Sequence, residues 1–172
     1  MCLIKWLERQ RKRRRERIYE SPSADIDGGV RIRRDTDAPK EIESVKLLRF
    51  SCSFSTVSLE EQEGLGCGVY SFSASIDGDG ISRSCSLRGR ENLEKCKEKC
   101  SDSFLDELEV LIRKNKIADY NGNYYKVSGL PDFYGATVSA EYESGESIYC
   151  YNNQDPFLPI PFMCELCRLF GI

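Results

Sequence analysis

Histidine is absent from this chain of 172 residues, tryptophan occurs once and methionine twice. Without histidine the chain lacks the side chain that titrates near neutrality and the commonest metal ligand. Only Cys, Lys, Tyr and carboxylates remain to move protons or attack a substrate, which favours a non-enzymatic reading. A long apolar run is missing too, since nothing approaches the ~20 residues that cross a bilayer. The opening stretch MCLIKWLERQRKRRRER places its apolar residues ahead of its charges and has no small-residue cleavage site, so it does not read as a secretory signal. Position 2 is Cys rather than Gly, and the myristoylation pattern fails. These absences predict a cytoplasmic protein, peripheral to a membrane if it meets one.

Cysteine, by contrast, is plentiful. Nine are present, an odd number with no export signal, and a reducing compartment makes most of them small buried hydrophobes rather than disulfide halves.

Charge is distributed unevenly. Residues 1–20 carry eight Lys and Arg against three Glu, a net +5, whereas the whole chain is −3, so residues 21–172 carry −8. Such a division concerns association rather than fold. Within 1–20, Leu3, Ile4, Trp6 and Leu7 precede Arg11, Lys12, Arg13, Arg14, Arg15 and Arg17. If helical, this basic arm has an apolar tip and no stripe to pack on a core. Trp beside clustered cations suits an anionic membrane surface, with Leu3, Trp6 and Leu7 as the apolar contact. The same cations suit nucleic-acid phosphates or a nuclear-localisation role, and a solvated tail is the plain alternative. Residues 21–44 mix Pro, Gly, Ser and Asp and read as a flexible linker, with the folded domain at 45–172.

From Val45 the pattern alternates. Leu48, Phe50, Cys52 and Phe54 share one parity, and Arg49, Ser51, Ser53 and Ser55 the other. A second strand opposes Tyr70, Phe72, Ala74 and Ile76 to Ser71, Ser73 and Ser75, and a third opposes Ile81, Cys85 and Leu87 to Ser82, Ser84 and Ser86. The turn Asp77-Gly78-Asp79-Gly80 joins them; it lacks the spaced ligands of a calcium loop. The stretch ENLEKCKEKC reads as a charged loop or helix. Then Ser101-Asp102-Ser103 offers caps for a helix with Phe104, Leu108, Leu111 and Ile112 on one face, and Lys114 and Lys116 in its last turn. Asp119 to Asp132 reads as turns. A hairpin around Ser144-Gly145 sets Val138, Ala140 and Tyr142 against Ile148 and Cys150, and Asp155 and Pro156 open a short apolar helix, Phe157 to Phe170, that starts in earnest after Pro161. The order β-β-β-α-β-β-α predicts an α+β fold, an antiparallel sheet of about five strands with helices on one face.

Tyr120-Asn121-Gly122, the Y-x-x-G-x-x-I hairpin from Tyr142 through Gly145 to Ile148, and Asn152-Asn153 with Pro156 form a recognisable succession. Over residues 45–172 it resembles a set of bacterial proteins of unknown function, with Tyr120 where their pattern favours Trp. The resemblance implies the same fold and no particular chemistry.

Two constellations remain. Cys96 and Cys100, with Cys164 and Cys167, have helical spacings that suit a four-thiolate zinc site, although neither pair has the Gly-rich knuckle of zinc ribbons; packing of the closing helix is the alternative. Redox chemistry at Cys164 and Cys167 conflicts with their apolar surroundings. The serine rows should share one sheet face, either as its wet side or as a surface for a protein partner. No Gly-x-Ser-x-Gly elbow marks a nucleophile, and no phosphate loop is present. The chain therefore reads as a binding module without catalytic residues or cofactor, zinc being the alternative.

Overall fold

In a computed structural model the described residues are 29–59, 65–78, 80–89, 93–129 and 134–172, with backbone alone for 93–97. The strands are β1 (Val30–Arg34), β2 (Leu47–Ser55), β3 (Gly68–Asp77), β4 (Gly80–Gly89), β5 (Leu93–Cys100), β6 (Asn123–Val127), β7 (Ala136–Tyr142) and β8 (Ser147–Asn152). Helix α1 (Phe104–Lys114) and a single 3-10 turn (Ile117–Tyr120) lie between β5 and β6, and helix α2 (Ile160–Phe170) follows β8. All eight strands form one sheet in the order β1-β6-β8-β7-β2-β3-β4-β5.

The fold is α+β, but the sheet is larger than the expected five strands, and it is mixed. Strands β6 and β8 run parallel, pairing Tyr124 with Tyr151 and Tyr125 with Asn152. Strands β1, β5 and β6 were hidden in the sequence for one physical reason. An edge or near-edge strand does not need an apolar face, and charged edges discourage further pairing. LEKCKEKC forms β5 at one edge, where a loop or helix was expected. VRIRR forms β1 at the other, inside the expected linker.

The remaining described part of that linker is also tied down. Ile42 is buried, and the Glu146 carboxylate accepts the backbone N–H groups of Glu43 and Ser44, each at 2.9 Å. Arg113 donates to the Ser44 carbonyl at 2.7 Å. The Glu43 N–H, the Ser144 hydroxyl and the Ser44 N–H hold the Glu146 carboxyl below its ordinary range.

The β2–β3–β4 meander follows the alternation. Cys52, Phe72 and Cys85 stand in one cross-strand row, and Phe50 pairs with Ala74. At the start of β2 an irregularity between Leu47 and Arg49 shifts the register, so Leu47 is buried where the alternation pointed to Leu48. The β7–β8 hairpin pairs Val138 with Cys150 and Ala140 with Ile148.

Helices α1 and α2 pack on each other and on the apolar rows. The Phe170 ring lies 4.9 Å from Phe72 and 5.1 Å, edge-on, from Phe104. Ser103 caps α1 without a side-chain capping bond; its hydroxyl donates to the Glu107 carboxylate instead. Pro161 sits in the first turn of α2, where a missing N–H costs nothing, so this helix begins at Ile160 rather than after the proline. Lys114 ties the two helices together through Glu165.

Candidate functional site

The face opposite the apolar rows carries the serines. The strand register aligns Ser139, Ser51, Ser73 and Ser84 across β7, β2, β3 and β4. The next row holds Thr137, Ser53, Ser71 and Ser86. Ser51 and Ser73 are exposed, and Ser53, Ser71, Ser84, Ser86, Thr137 and Ser139 are half-buried. Ser73 and Ser84 share a hydrogen bond of 2.8 Å. Two expected members are lost to packing: Ser55 is fully buried and accepts from Val57 N–H, and Ser82 is buried beneath the row. Hydroxyls both donate and accept, so such a face presents a neutral grid of hydrogen-bonding groups.

Toward β1 the same surface becomes aromatic and basic. Arg33 pairs with Tyr124, which pairs with Tyr151, and Tyr151 pairs with Thr137 in the hydroxyl row. The Tyr124 and Tyr151 rings stack at 4.9 Å with 20° between planes. Sequence reasoning missed this group because it placed Arg33 in a linker and Tyr124 among turns. The signal available was only the density of tyrosine between Tyr120 and Tyr125.

The clearest ionisable cluster lies at the other side of the sheet. Glu109 of α1 is 3% exposed. It accepts from the fully buried Tyr142 hydroxyl at 2.7 Å and from Arg113 Nε at 2.6 Å. Burial pushes the Glu109 carboxyl above its ordinary value, with the two hydrogen bonds and the Arg113 charge opposing it. Burial, then the Glu109 hydrogen bond and charge, push the Tyr142 phenol well above its ordinary range. Tyr142 therefore keeps its proton, and the group joins α1 to β7 as a structural contact. Because the folded chain holds the Glu109 proton more tightly, the stability this carboxyl contributes is full below the unfolded value of about 4.3 and declines as pH rises through the folded value. Urea melts from pH 4 to 7 should show the intact chain losing stability relative to Glu109→Gln as pH rises; an opposite slope contradicts the assignment.

The cysteines divide differently from the expectation. Cys100 lies on strand β5 and its thiol donates to the Ile81 carbonyl at 3.5 Å. Cys164 and Cys167 lie on α2, and only Cys167 is fully buried. Cys96 is on β5, and its side chain is outside the described residues. Helical spacing for the first pair is therefore replaced by strand spacing. Among the described residues no three Cys, Asp or Glu side chains are placed to hold a metal ion. Buried Cys52, Cys150 and Cys167 gather instead in the core. Burial raises all three thiols, Cys150 and Cys167 to about 12, and neighbouring thiols add to the rise at Cys52 and Cys167. Thiols held protonated are poor nucleophiles.

The proposed anion contacts Leu3, Trp6, Leu7, Arg11, Lys12, Arg13, Arg14, Arg15 and Arg17 lie outside the described residues. Among the described residues no helix is long and apolar enough to cross a membrane. No protein-family model, curated protein or solved structure matches the chain.

Proposed function

We propose that this protein is a non-enzymatic binding module recruited to an anionic membrane surface by its cationic segment, residues 1–20. The observation that carries this reading is the separation of charge, a net +5 in that segment against −8 in residues 21–172. A body of net negative charge is repelled by an anionic leaflet, so the cations have to reach the surface first. Each cation near such a leaflet contributes about 1 kcal/mol, and Trp6, Leu3 and Leu7 add apolar contact at the headgroup level. The Ser and Thr rows of the sheet supply a neutral hydrogen-bonding surface on which a protein partner docks without charge repulsion. The buried ionisable groups support a binding role, because Glu109, Tyr142 and the core thiols are already engaged in packing.

Sedimentation with vesicles tests the proposal. The intact chain should pellet with vesicles containing anionic lipid and not with neutral ones, and raising salt should release it as screening shortens to a few ångströms. Equal binding to both vesicle types, or to neither, removes the membrane reading. Mobility-shift titration against random duplex DNA and RNA distinguishes a nucleic-acid partner, which gives retention without vesicle binding. Metal analysis of protein purified without chelator separates the zinc alternative.

A further inference from the structure

A cavity of about 390 Å³ opens where β1, β6 and β8 meet. That volume falls within the usual range for small-molecule sites. Its walls include Arg33, Arg34, Tyr120, Tyr124, Tyr151 and Phe157, and among the described residues no acidic side chain lines it. In a body of net −8 this is a local reversal of charge. One pair of rings is already arranged as a flat surface, Tyr124 stacked on Tyr151, whereas Tyr120 meets Phe157 at 5.1 Å with the planes tilted by 49°.

Arg33 supplies the second observation. Its Nη1 is buried with no hydrogen-bond partner, the one such side-chain nitrogen or oxygen among the described residues. A buried donor without an acceptor costs stability, more so when charged. Turning the guanidinium toward the cavity breaks no bond at Nη1, and a planar guanidinium matches carboxylate or phosphate oxygens better than any other side chain.

We propose that this cavity binds a small anionic ligand built on a flat ring, its phosphate or carboxylate on Arg33 and its ring against the Tyr124–Tyr151 stack. Arg34 adds charge at the rim. Aromatic faces accept rings of many kinds, so the anion sets the orientation while the stack holds the body. None of the residues named for this site belongs to residues 1–20, and a negative result here leaves the vesicle experiment unaffected.

Calorimetric titration of the full chain with adenosine 5′-monophosphate and with indole-3-acetate tests it, with adenosine and inorganic phosphate as probes lacking one half of the ligand. At least one of the two complete probes should saturate, and each half-probe should bind about tenfold more weakly or less. Ring-proton resonances of Tyr124 and Tyr151 should shift in step with saturation. Arg33→Gln should weaken binding at least about tenfold, with Arg33→Lys intermediate. If neither complete probe saturates below about 5 mM, or if Arg33→Gln binds as the intact chain does, the proposal fails. Should Arg33→Gln not fold, the ring-proton readout on the intact chain decides, and shifts confined to other tyrosines overturn the site.

Discussion

Replacing Asn121 with alanine is expected to lower the stability of the fold by about 3–5 kcal/mol, the sum of several stranded polar groups at about 1–3 kcal/mol each, less what entering water recovers. Asn121 is 3% exposed. Its side-chain amide donates to the carbonyls of Pro39 and Ser147, both at 2.9 Å, and its carbonyl accepts from Tyr149 N–H at 2.8 Å. One side chain thus ties the segment before β2 to strand β8. Lys40 reinforces the junction by donating to the backbone carbonyls of Asp119 and Asn121. Truncation takes this partner from a backbone N–H and two carbonyls at a part-buried junction. Asn121→Asp keeps the acceptor for Tyr149 but turns a carboxylate toward two carbonyls, so it should not rescue. Urea denaturation measures both, and a loss below about 1 kcal/mol for the alanine variant contradicts the assignment.

Gly135→Ala should be costlier still, at more than about 4 kcal/mol, because nothing flexible is available to move. A Cβ at Gly135 would meet the Asn152 carbonyl oxygen at 1.7 Å, its carbon at 2.6 Å and the Asn153 carbonyl carbon at 2.8 Å. All three are backbone atoms at the position where Ala136 pairs with Asn152 to begin the β7–β8 ladder. The clash also reaches the neighbouring clamp, in which the fully buried Asn153 side chain accepts from Val127 N–H and donates to the Val127 carbonyl, both at 2.9 Å. The parallel β6–β8 pairing stands beside that clamp, so parting one ladder loosens the other. Gly78→Ala provides the contrast, since a Cβ there meets nothing within 4 Å. Thermal melts of the two variants should differ widely; similar melting temperatures would mean that the close approach at Gly135 relaxes freely.

These residues mark where sequence reasoning stops. The β2–β3–β4 meander and the β7–β8 hairpin are legible because each buries one face, and burial on one face writes a period of two into the residue types. Helix α1 is legible for the same reason at a helical period. Strand β1 has only Ile32 and Val30 as large apolars, both exposed, and β5 alternates charges. Strand β1 thus has no buried face to report it, and β5 has no apolar alternation in its sequence. The parallel β6–β8 pair is made by distant segments and leaves no local signal. Asn121 and Asn153 stand out as motif residues, yet an asparagine in a turn and one buried as a hydrogen-bonding junction are written alike. The alternation also fails locally at Leu48, where the irregular register turns Leu47 inward instead. Of the candidate sites, the serine rows were readable because strand register follows from parity. The Arg33–Tyr124–Tyr151 group was not, because it depends on two strands that the pattern conceals.

The attachment proposal stands on the cations near the amino end, and they can be removed without touching the sheet. Replacing Arg11, Lys12, Arg13, Arg14, Arg15 and Arg17 together by glutamine changes residues 1–20 from a net +5 to −1. Partition onto anionic vesicles should then fall at least about 100-fold while the melting temperature stays the same. Undiminished partition with all six cations gone would show that some other surface makes the contact, and the recruitment account would be wrong.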